Sequence, residues 1–212
     1  MTKLQLVDVS FSGTFHRELK GYLTNFTHEF SFGKAYLLEG SENYKSWILS
    51  WLISGKLVPD SGSILLDGVP AKQAIIRDQS WIIRHDEIKK WGHFAQSIRS
   101  QVRAGLHSKT GNTISEEEII KSFKLTLPRY NRKMSQLSSE GWKASSAIGY
   151  AHDKRIFCFP DMDYSRPNFF EEYRELWFED ILRFLIVNKK LVIIPSSFSR
   201  AVDGLFDEIV KL

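Results

Sequence analysis

The chain has 212 residues, 42% hydrophobic and 25% charged, which suits one large globular domain and excludes a disordered chain. Its net charge of +4 comes from scattered residues, among them Arg17, Lys20, Lys89, Lys90, Arg129, Arg132 and Lys133, so no basic run argues for a nucleic-acid partner. The lone Cys158 excludes an internal disulfide and suits a reducing compartment; with neither a charge-free span nor an apolar signal core, a soluble chain without direct membrane insertion is expected.

Lys3 to Val9 alternates apolar and polar residues, predicting a half-buried strand. Ala35 to Leu38 is a short apolar run, as in a buried strand, and leads through Glu39–Ser46 into a largely apolar helix from Trp47 to Ile53, with Gly55 as its stop. Pro59 to Gly68 reads as turn, strand and turn. Residues 87–135 are more polar, with a helix expected around Phe94 to Val102 and a second one begun by a capping box at Ser115 and Glu118. Near the end come an apolar strand (Ile156 to Phe159), a long amphipathic helix that Asn168 can cap, and an apolar strand (Leu191 to Ile194). Strand–helix–strand units at both ends predict an α/β sheet with a polar lobe between them.

In this order and spacing, the elements resemble ATP-binding-cassette (ABC) domains over essentially the whole chain. The most specific piece is Pro59 to Gly68, which looks like the hairpin after the family's phosphate-loop helix. Ser97-Ile98-Arg99, with Phe94 before it, is similar to the segment opening the helical lobe of exporter-type members, and Gln136 to Gly141 stands where the family's Leu-Ser-Gly-Gly-Gln signature begins. The resemblance implies one domain over 1–212: an ABC-type P-loop core from 1–86 and 150–212, with an antiparallel β subdomain, and a helical subdomain inserted at 87–149.

A working phosphate loop reads Gly-x-x-Gly-x-Gly-Lys-Ser-Thr, because glycines let backbone N–H groups close around phosphates. Here the segment runs from Glu39 through Glu42 and Tyr44 to Lys45, Ser46 and Trp47. Lys45 and Ser46 are kept, while Glu39, Glu42 and Tyr44 replace the three glycines. Carboxylates beside a polyphosphate oppose binding, and Tyr44 fills space meant for hydrogen. Lys45 retains the chemistry to pair with phosphate and Ser46 to ligate magnesium; the alternative, which the lost glycines favour, is that both merely start a helix.

In the signature, Ser138 is kept but Ser139 and Glu140 replace glycines, and Glu140 would carry negative charge toward a partner's γ-phosphate. Counting forward without a gap puts Asp161 on the family's magnesium-holding aspartate and Met162 on its water-polarising glutamate. A one-residue gap would instead place Pro160 and Asp161 there; the ungapped count also matches Ser165 to the family's serine, and it puts Asn168 on a later aspartate. Ser197 replaces the switch histidine, Arg84 or His85 the linking glutamine, and Gly13 the adenine-stacking aromatic, for which Phe15 is a substitute unless it simply packs.

Rival chemistries are less well supported. His85, His93 and His107 lack a zinc spacing, and Ser196 and Ser197 lack a hydrolase elbow. The resemblance therefore implies a degenerate, non-hydrolysing subunit of a heteromeric membrane transporter, held on the cytoplasmic face by a transmembrane subunit and paired with a second, competent ABC ATPase. ATP and magnesium are at most weak ligands of Lys45, Ser46, Ser138 and Asp161. Two alternatives stay open: an active ATPase with nonconsensus motifs, and an adaptor that binds no nucleotide.

Overall fold

The computed structural model describes residues 2–15, 18–40, 42–84, 96–108, 114–137, 140–160, 178–196 and 204–212. Strand β1 (Lys3–Phe15) pairs antiparallel with β2 (Leu19–Ser31) and runs further than the alternation up to Val9 predicts. Register shifts on either side of Val9, next to left-handed Asp8 and Asn25, bend the pair, and Phe11 and Phe15 carry the buried face onward. Next come β3 (Ala35–Glu39) and helix α1 (Lys45–Ile53), which is capped at Ser54 and followed by Gly55 in the left-handed region. Strands β4 (Ser61–Leu66) and β5 (Val69–Pro70) form a two-residue hairpin over Asp67 and Gly68, both at positive φ as its twist requires.

After α2 (Gln73–Gln79) and β6 (Ser80–Ile82) the chain enters helical structure. The expected helix from Phe94 begins instead at Ile98, as α3 (Ile98–His107), because the Ser97 hydroxyl accepts the Ser100 N–H and stops it there; Phe94 lies outside the described residues. In α4 (Glu116–Ser122) the capping box of Ser115 and Glu118 is formed as expected. Helices α5 (Leu127–Tyr130) and α6 (Gly141–Ala151) follow, then β7 (Ile156–Cys158). Helix α7 (Glu179–Val187) falls at the end of the segment expected to be a long amphipathic helix; Asn168 and its neighbours lie outside the described residues. Strands β8 (Leu191–Ser196) and β9 (Glu208–Lys211) complete the chain.

The strands make two sheets. One is antiparallel, in the order β2-β1-β4-β5; the other is parallel, in the order β6-β7-β8-β3-β9. Every residue of β8 is buried, as befits a central parallel strand covered on both faces. Pro195 falls beyond the stretch where β7 pairs, so its missing N–H breaks no bond on that side.

Alternate side chains of the parallel strands feed two apolar layers. Tyr36, Leu38, Leu191 and Ile193 pack with α1 and the antiparallel sheet, through residues such as Ile48, Leu52, Leu6 and Phe30. Ala35, Leu37, Val192 and Ile194 face the other way, onto the helical residues Ile98, Val102 and Ala147, onto Phe123 at the end of α4 and onto α7. The helices between β6 and β7 therefore share a core with the sheet. Hydrogen bonds from the Trp81 indole N–H and the Arg84 backbone N–H to the Ser145 hydroxyl, 3.1 and 2.8 Å, tie α6 to the end of β6. Among the described residues, no helix is long and apolar enough to cross a membrane.

Candidate functional site

The carboxyl ends of parallel strands are where α/β sheets bind ligands, and the segment from Glu39 to Ser46 lies there. The Gly40 N–H donates to the Ser196 carbonyl at 3.1 Å, fixing the loop between β3 and the end of β8. Glu42–Tyr44 makes a single 3-10 turn, and Lys45 opens α1. Gly40 serves a local packing need: a Cβ there would stand 3.0 Å from the Leu212 side chain, brought close by the bond from the Leu212 N–H to the Glu39 carbonyl.

Tyr44 caps α1 in the left-handed region, φ 57° and ψ 28°, a conformation that costs a non-glycine residue about 1 kcal/mol or more. Its ring meets Phe15 edge-on at 6.1 Å, and Trp47 and Trp51 meet the same Phe15 ring at 6.2 and 6.4 Å. Phe15 is only 6% exposed, so in this arrangement it is a packing residue of the hairpin end against α1.

Lys45 and Ser46 are consecutive in the chain, and each faces a partner within it. The Ser46 side chain is buried, and its hydroxyl donates to the Gly40 carbonyl at 3.1 Å. The Lys45 ammonium lies 3.9 Å from a Glu42 carboxylate oxygen and 5.9 Å from the centre of the Tyr22 ring. Tyr22 is a neighbour that the sequence does not announce. It pairs with Ser12 across the β1–β2 hairpin and reaches α1 only through that register.

Arg84 follows β6 where the family's glutamine is expected, with φ 63°; His85 lies outside the described residues. The Arg84 guanidinium lies over Gly141, where a Cβ would come 2.3 Å from Nη1, so glycine at the start of α6 makes room for it. Glu140, the N-cap of α6, forms an ion pair with Arg129, and the pairing raises the Arg129 guanidinium above its usual range. The Glu140 charge is therefore compensated within the chain. One turn into α6, burial pushes the Lys143 ammonium down, against the opposing pull of Glu140.

The structure thus brings together Gly40, Glu42, Lys45 and Ser46. Ser138, Ser139, Asp161, Met162, Ser165 and Ser197 lie outside the described residues. Among the described residues, no three of His, Cys, Asp and Glu are grouped as metal ligands would be.

Neither a family model nor a curated relative matches the sequence. Solved structures do. A bacterial ABC transporter cassette solved as a dimer superposes with a TM-score of 0.70 at 17% identity, over 99% of this chain and 94% of that one. The cbiO1 protein of Clostridium perfringens, part of the cbiONQ ABC transporter complex, gives 0.69 at 15% identity over 98% and 83%. A bacterial Atm1-family ABC exporter with ATP bound gives 0.64 at 17%, covering all of this chain and 37% of the exporter. With its antiparallel sheet, its parallel core and the helices between β6 and β7, the chain has the fold of an ATP-binding-cassette domain.

Proposed function

We propose that the chain is a non-hydrolysing cassette subunit of a heteromeric membrane transporter. Residues 87–149 serve as its helical subdomain. That subdomain and the cleft beside it dock on a transmembrane subunit at the cytoplasmic face, and a second, competent ABC ATPase lies opposite. The fold supports the cassette part of this reading. The transporter setting is supported by solved neighbours described as a transporter cassette, as part of a transporter complex and as an exporter.

The observation that carries the loss of hydrolysis is the loop before α1. A magnesium nucleotide needs a lysine free for phosphate, a hydroxyl turned to the metal and glycines that let amides converge. Here Lys45 faces Glu42, the Ser46 hydroxyl is buried on the Gly40 carbonyl, and Tyr44 takes the left-handed position. These residues fit the cofactor poorly, so no catalytic step is assigned to ATP or magnesium. Met162 and Ser197 add to this at the level of sequence. The same loop geometry favours the adaptor alternative, in which no nucleotide binds at all.

The test is affinity purification from detergent extract with mass spectrometry of what co-purifies. The reading expects a multi-span membrane protein together with a cassette that keeps its Asp-Glu pair. Recovery of the chain with neither contradicts it.

A further inference from the structure

Taking residues 39–46 as a cassette's phosphate loop, we propose that Glu42 is the resident anion of this loop and the residue that excludes polyphosphate from it. Helix α1 begins at a cation, Lys45, where the helix dipole is already positive, with no acid in its first turn and no cap from the Tyr44 side chain. A positive helix end of this kind attracts anions. Glu42, in the turn just before the helix, stands 3.9 Å from the ammonium and meets that potential from within the chain. The Tyr22 ring lies near the same ammonium, a second intramolecular partner for the cation.

Charge is separable here from shape. The Tyr44 ring is drawn toward Phe15 on the hairpin side, so its bulk is a different obstacle from the Glu42 carboxylate. The Glu42 side chain is 78% exposed and bears no packing load, so the isosteric change Glu42→Gln removes the charge and leaves the fold. A carboxylate roughly 6 Å from a polyanion weakens its binding by about tenfold even in a water-like dielectric.

The experiment is titration calorimetry of inorganic triphosphate at low salt into wild type, Glu42→Gln, Glu42→Ala, and Glu42→Gln combined with Lys45→Ala. Thermal melting checks that each variant is folded. The expected result is that both single variants bind about tenfold tighter than wild type, that the gain shrinks as salt is added, and that Lys45→Ala abolishes it. Equal affinities overturn the proposal, as does no binding by wild type or variant at millimolar ligand, or a gain that survives Lys45→Ala. Hydrolysis by wild type above a Lys45→Ala control contradicts the non-hydrolysing reading and leaves the effect of Glu42 on affinity standing, so the two failures are distinct.

Discussion

The β4–β5 hairpin and the loop before α1 both need left-handed backbone, and they meet the need differently. In and around the hairpin three glycines take it, Gly55 at φ 67°, Gly62 at 82° and Gly68 at 80°, beside Asp67 at 52°. A Cβ on Gly55 would meet the Arg77 backbone nitrogen at 2.7 Å, and one on Gly62 would meet the Asp8 carbonyl oxygen at 2.4 Å. At the sheet's carboxyl end, Tyr44 and Arg84 hold φ of 57° and 63° with large side chains. At Gly55 and Gly62 neighbouring backbone demands glycine. It is absent at Tyr44, whose side chain is 45% exposed and where the family's glycine makes room for an anion. The hairpin's glycines answer to folding, and on the proposed reading the loop's left-handed tyrosine answers to no such backbone demand.

The contrast can be broken most forcefully at Gly62. Gly62→Ala combines an unfavourable φ with a clash against backbone that cannot swing away, and should cost about 3 kcal/mol or more, read as a lowered denaturant midpoint. A tolerated alanine would show that the hairpin is not under this constraint. Gly149→Ala comes next. Its Cβ would press on the Trp81 ring at 2.6 Å and on Phe157 at 3.0 Å, side chains that can shift a little, so about 2 kcal/mol is expected.

The junction between the two sheets supplies a pH test. His28 on β2 packs edge-on against Phe30 and Tyr36, 3.5 Å from the Glu208 carboxylate on β9. Burial pushes the imidazole below its ordinary value of 6.5, outweighing the opposing carboxylates of Glu208 and Glu29. The unfolded chain therefore binds this proton more readily. The stability that His28 contributes is present above pH 6.5 and is lost as pH falls below it. Unfolding midpoints across that range should drop in wild type and drop less in His28→Phe; equal pH slopes would exclude this source.

The smallest effect is expected in the loop. Tyr44→Gly relieves a left-handed residue by about 1 kcal/mol and gives up a ring contact with Phe15 of similar size, so stability should change by less than about 1 kcal/mol. A large loss would show that Tyr44 is a structural residue of the frame.

What was legible in the sequence was local. The capping box at Ser115 and Glu118, the Asp67-Gly68 turn and the apolar run of β3 each carry their signal within a few residues, and each is present. Lengths set by pairing were less legible. β1 continues to Phe15 because β2 pairs with it that far, and α3 starts at Ile98 because Ser97 caps it. Contacts that define the candidate site were hidden for the same reason. Tyr22 reaches Lys45, and Arg129 reaches Glu140, only once the hairpin and the helices between β6 and β7 are assembled. The replaced glycines could be read from the sequence, but where the charge of Lys45 goes could not.

The central claim is that the cassette frame persists while hydrolysis is gone, and magnesium-dependent phosphate release tests it most directly. The assay compares the purified chain with its Lys45→Ala variant, each alone and each with the partners that co-purify. The account predicts the same rate for both proteins, at background for the isolated chain and at the partner's own rate in the complex. Release by the wild-type chain above that of Lys45→Ala, with or without partners, would contradict it.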